Sequence, residues 1–185
     1  MVGLFPASPC ASLGFMTPRL ITTVIFSSII AFFSPVSGQA QDSSAQASLS
    51  VQGRQTVYPN VVALRGKCFN ESRIIVIATE KPLTAKQFEQ VQKANAEETQ
   101  NLEGYISYIK ASYQEDGALR YLVGDGGGAV FSKKNEATQT YLKGSAVLTG
   151  DHVKGEVNLN EPGDYSKVAK IIFDLPILTE APVAK

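Results

Sequence analysis

Apolar and polar residues alternate through much of the chain after Ser48, and the breaks in that alternation mark its elements. SLSVQGRQTVY alternates around Gly53, which predicts two short strands joined by a turn. NVVALRG predicts another strand. RIIVIATE holds a continuous apolar run from Ile74 to Ala78, β-branched at four of its five positions. Such a run suits a strand buried on both faces.

One segment has helical spacing. In PLTAKQFEQVQKANAEETQNL, Thr84 is placed to cap a helix, and Gln87 follows three residues later as in a capping box. Phe88, Val91, Ala94 and Leu102 form a thin apolar stripe. The pattern predicts a helix over about 84–101. One half should dock on a sheet, and the polar half beyond Ala96 should fray or stay solvated.

After the helix the chain reads as strand. YISYIKASY and ALRYLVG flank Glu115-Asp116-Gly117, a hairpin signal. GAVFSKK is a short strand. QTYLKGSAVLTG and VKGEVNLN flank Asp151-His152, a second hairpin. Val153, Gly155, Val157 and Leu159 share one face, and Ile171, Phe173, Leu175 and Ile177 share another in the last strand. Pro176 has the opposite parity and cannot donate to a ladder, so this end is expected at an edge or outside pairing. Strands, one helix and then a meander predict a mainly β (α+β) fold. The expected architecture is an antiparallel sandwich or partly closed barrel with one helix packed on it.

The first forty residues follow a different pattern. They carry one charge, Arg19, and an apolar run of 14 residues from Leu20 to Phe33. A membrane span needs about 20 apolar residues. A positive start, a short apolar run and small residues at Gly38 and Ala40 fit a secretory signal cut after Ala40. The expected organisation is a signal over 1–40, a flexible linker over 41–47, one β-rich domain over 48–180 and a tail over 181–185. The expected location is the periplasm or the extracellular space, with no stable membrane insertion after cleavage.

Charge and chemistry narrow the functions. Beyond residue 40 there are 16 basic and 17 acidic residues, scattered without a basic stripe, which argues against nucleic acid as a partner. One cysteine remains, Cys68, so no internal disulfide supports the mature domain, and a buried thiol is expected. VGDGGGAVF, Val123 to Phe131, invites a phosphate-loop reading. It lacks both the G-K-[ST] ending and a following helix, so Gly124 and Gly126 to Gly128 are expected to bulge or turn a strand, at least one with positive φ.

His152 is the only histidine. It lacks the partners of a zinc site and is expected as a turn residue beside Asp151. No metal ligand set, cofactor site or catalytic constellation is expected. Asp125, Glu156 and Asp174 are the acids that a carboxylate-based glycoside hydrolase would draw on. Tyr105, Tyr108 and Tyr113 in one strand, with Tyr121 in its hairpin partner, are the candidate binding face. The expected role is non-enzymatic: binding a protein partner or supporting an envelope structure. The alternatives are a carrier of a small apolar ligand, with the helix beside the barrel mouth, and a sugar hydrolase.

Overall fold

The computed structural model describes residues 44–126, 129–136 and 140–182. The proposed signal and its cleavage site lie outside these residues. The described elements are β1 (Ser44–Val51), β2 (Arg54–Tyr58), β3 (Asn60–Cys68), β4 (Glu71–Thr79), α1 (Ala85–Lys93), β5 (Tyr108–Tyr113), β6 (Leu119–Gly126), β7 (Ala129–Lys134), β8 (Leu142–Thr149), β9 (His152–Glu161) and β10 (Lys167–Leu178). The molecule is mainly β with one short helix, and its sheet curls into an open half-barrel.

Local chemistry sets the hairpins. Gln52 and Gly53 both have positive φ (51° and 79°), the two-residue turn that joins β1 to β2. Gly117, at φ 83°, turns β5 into β6. β1 begins at Ser44, opposite Asp174 of β10, so residues 44–47 belong to a strand and not to a linker.

One wing of the sheet runs β2-β1-β10-β9-β8, and the other runs β3-β4-β5-β6-β7. β10 joins them. It lies antiparallel to β1 and β9, then pairs in parallel with β3 at Ile177 and Leu178. Pro176 therefore does not end the pairing. It sits opposite His152, and the next amide, Ile177 N, donates to Asp151 O at 2.7 Å. The wings also meet where the β5–β6 turn touches β8. Ala146 N donates to Gly117 O at 2.9 Å, beside an Ala118–Ser145 bridge.

Alternation divides the side chains between two cores. The inner core takes Leu49, Ala63, Ile74, Val76, Tyr113, Leu122, Val157, Ile171 and Phe173 from both wings. The Tyr113 and Phe173 rings meet edge to face with centroids 5.7 Å apart, and the Tyr113 hydroxyl donates to Glu156 O. The outer core lies between the β3–β6 wing and α1, where Leu64, Ile75, Ile77 and Val123 meet Phe88 and Val91. β4 supplies Ile74, Val76 and Ala78 to one core and Ile75 and Ile77 to the other, as its unbroken apolar run predicts.

α1 is shorter than its pattern. The Thr84–Gln87 capping box forms, but the helix stops at Lys93. The next residues find better partners on the sheet. Ala96 N donates to Lys67 O at 2.8 Å, buried Lys110 donates to Glu98 O at 2.8 Å, and Arg73 binds the Glu97 carboxylate at 3.1 Å. These bonds turn residues 95–107 into a strap across the outer face rather than a frayed, solvated half-helix. The helix itself lies on that outer face and not beside a barrel mouth.

Candidate functional site

The four candidate tyrosines do not share a face. Tyr108 and Tyr113 have opposite parity in β5 and enter the outer and inner cores respectively. Tyr121 is half-buried on β6. Tyr105 precedes β5 and is 96% exposed, with φ at +51°. Two of the four, however, help to build a pocket at the end of the β5–β6 pair, together with part of the glycine-rich stretch.

That pocket, of about 130 Å³, is lined by Asn101, Leu102, Tyr105, Ser107, Asp125 and Gly126, with Ile106 completing it. Each wall has a local cause. Asp125 lies opposite Tyr108 in the ladder. The Tyr108 hydroxyl accepts from Gln100 N at 2.6 Å and donates to Gln100 O at 3.0 Å, which ties the strap down beside the pocket. Ser107 and Tyr58 share a 3.0 Å hydrogen bond that brings the end of β2 to the same place.

The glycines answer to space here. Gly124 and Gly126 are regular strand residues without positive φ; Gly127 and Gly128 lie outside the described residues. A Cβ on Gly124 would collide with the Phe131 ring, and one on Gly126 with Ser107 Oγ and the Tyr58 hydroxyl. The expected bulge is thus absent at 124 and 126, and close side-chain approach takes its place. No helix follows to offer phosphate its amides, since β7 runs from Ala129.

The electrostatics centre on Asp125. It is half-buried and has no hydrogen bond or ion pair among the described residues. Burial raises the Tyr108 phenol to about 12, with the Asp125 charge adding to it. Burial also raises Tyr58, against the opposing effect of its Ser107 bond, and Asp125 again contributes to the rise. Both phenols therefore stay protonated beside a carboxylate. The site combines one anion, neutral hydroxyls and an exposed aromatic ring. It suits a cationic group, which the carboxylate attracts and a tyrosine face accepts.

The other candidates lie apart from it. Glu156 and Asp174 sit on β9 and β10 in the opposite wing, so Asp125 does not face either acid. Asp174 is held by Lys154 at 2.7 Å and by His152 Nδ1 at 3.3 Å. These neighbours lower its carboxyl, the Lys154 hydrogen bond most of all. His152 is the first residue of β9, half-buried, and its partner is Asp174 rather than Asp151. Cys68 is buried; desolvation and the nearby Glu97 raise its thiol. Among the described residues, no group of three or more histidine, cysteine or acidic side chains is placed to hold a metal ion.

Sequence reasoning missed Asn101 and Ser107 as pocket residues, and Tyr58 as the hydrogen-bond partner of Ser107. The strap brings Asn101 and Ser107 to Asp125, and it has no sequence signature. Comparison of the chain with protein-family models, curated proteins and solved structures finds no match.

Proposed function

We propose that this chain is an exported, non-catalytic recognition domain that receives a cationic group of its partner in the Asp125 pocket. The half-barrel, read as a partly closed barrel, is the scaffold. The observation that carries this reading is the pairing, at one pocket, of a half-buried carboxylate that has no partner among the described residues with a strained, exposed aromatic. A bulky residue with positive φ is uncommon and costs about 1 kcal/mol or more. Glycine would fit the Tyr105 turn without that cost. An apolar ring held in water at an unfavourable backbone position gains nothing from folding, whereas it gains much as a contact for a partner. The signal-like pattern around Leu20 to Phe33 supports export.

The chemistry favours a lysine or arginine side chain. A pocket of about 130 Å³ has room for one head group, while the ring of Tyr105 can lie against the methylene stem. Titration with N-acetylarginine amide, followed by amide chemical shifts, tests the reading. Saturable shifts at Ser107, Asp125 and Gly126 are expected, and Asp125→Asn should abolish them. Shifts scattered over the surface, or identical in the variant, would remove the assignment.

A further inference from the structure

A second surface lies on the other wing, at the outer edge of β2. Among the described residues β2 pairs only with β1. The two-residue turn makes Val51 and Arg54 a hydrogen-bonded pair, and the antiparallel ladder then alternates. Thr56 and Tyr58 direct their backbone groups to β1. Gln55 and Val57 direct theirs outward, where no described backbone group meets them.

Proteins guard such edges with lysine, proline, bulges or a covering element. The opposite edge, β7, is guarded in this way. It ends in Lys133 and Lys134, and Lys133 is tied to Glu161 of β9 at 2.7 Å. β2 has no lysine, no bulge in its register with β1 and, among the described residues, no helix over it. Its devices are its short length and the following Pro59. Val57 on this strand is 63% exposed.

Beside the edge, a groove of about 350 Å³ runs over the outer face of β2, β1 and β10, lined by Gln46, Ser48, Gln55, Val57, Lys170 and Ile172 among others. It contains one charged residue, Lys170. Neither Lys170 nor Arg54, at the turn end of β2, has a carboxylate within ion-pair distance among the described residues. No acid lies on β2 or in the groove lining.

We infer that the β2 edge accepts an extended, acidic peptide segment of a partner as an added strand. The added strand hydrogen-bonds the amides and carbonyls of Gln55 and Val57, extending the wing beyond β2. Its alternate side chains lie on the outer face against Val57. Its intervening carboxylates lie on the opposite face, where the register places Arg54, which gives the edge a preference in sign as well as in shape. This inference uses none of the residues of the Asp125 pocket and stands or falls separately from it.

The probe is an acetylated, amidated heptapeptide, Glu-Val-Glu-Val-Thr-Val-Glu, compared with the version in which lysine replaces each glutamate. Amide exchange at Gln55 and Val57 should slow with the acidic peptide. The lysine version should bind roughly tenfold more weakly or worse. Val57→Pro removes one outward N–H without breaking a bond to β1, so it should keep the parent's melting temperature and lose binding. Arg54→Glu leaves the outward backbone groups of Gln55 and Val57 intact and should weaken the acidic peptide while strengthening the basic one. Unchanged exchange at Gln55 and Val57 with saturating acidic peptide would overturn the inference, as would equal binding of both peptides. A concentration-dependent dimer that Val57→Pro dissolves would also overturn it, because a second copy would then be the occupant.

Discussion

The two wings of the half-barrel share an inner core but differ on their outer faces. The β3–β6 wing is roofed by α1 and the strap. Beneath the roof lie aliphatic side chains and two buried cations, Arg73 and Lys110. Among the described residues no helix lies over the outer face of the β1-β2-β8-β9-β10 wing, and Val57, Val147, Val168 and Ile172 stand among serine, lysine and asparagine. A roofed face takes polar groups away from water, so they need partners within the chain, as Arg73 and Lys110 have. A bare face can leave that to water or to a partner. Stability should therefore concentrate under the roof, and sensitivity to partners should lie at the β2 edge of the bare wing and, on the roofed wing, at the Asp125 pocket beside the end of the strap.

Removing a buried charge should break this contrast most severely. Arg73 is buried and binds Glu71 at 2.6 Å and Glu97 at 3.1 Å. Arg73→Ala leaves Glu97, itself largely buried, without its cation and releases the start of the strap. A loss of about 3–5 kcal/mol in denaturant unfolding is expected.

Lys110 gives the next effect, and it depends on pH. Its side chain is 1% exposed, and desolvation lowers its pKa to about 8 against the partial opposition of Glu98. Below that value both the folded and unfolded states carry the proton, and the folded state bears the full cost of burying the charge. As pH rises from about 8 towards the ordinary lysine value of 10.5, the folded state loses its proton first, so stability rises. The gain should be about 2 kcal/mol between pH 7.5 and 9.5. Unfolding of the parent and Lys110→Met at both pH values checks this, since the variant should lack the rise.

Gly126→Ala should cost about 1–3 kcal/mol, because its Cβ needs the space taken by the Ser107–Tyr58 pair. Thermal melts would measure the loss. A variant that melts like the parent would mean that this pair is not fixed.

Most strands were legible in the sequence because alternation and turn residues are local signals. β4 is the clearest case: an unbroken aliphatic run has no wet face, and the strand lies between two cores. The helix cap was legible for the same reason. Its end was not, because the competing partners of residues 95–98 come from β3, β4 and β5. The burial of Arg73 and Lys110 had no local signal, because the strap that covers them comes from a distant segment. The tyrosine face failed through parity: β5 sends Tyr108 and Tyr113 to opposite sides, and Tyr105 stands outside the strand. Asp125 was visible as a lone acid among glycines, but the neighbours that make it a pocket arrive from distant segments.

If the exposed Tyr105 ring is held for a partner and not for the fold, removing it should cost no stability. Phe69, at the β3–β4 turn, shares the condition of Tyr105: φ is +53° and the residue is 83% exposed. The most direct measurement is the melting temperature of Tyr105→Gly beside that of Phe69→Gly. Glycine relieves the left-handed backbone at both positions, and neither ring is buried. Both variants should melt at or above the parent's temperature, while Tyr105→Gly alone loses the arginine-amide shifts at Ser107 and Asp125. A fall of several degrees in Tyr105→Gly would contradict this, because the ring would then be part of the structure rather than a surface kept for recognition.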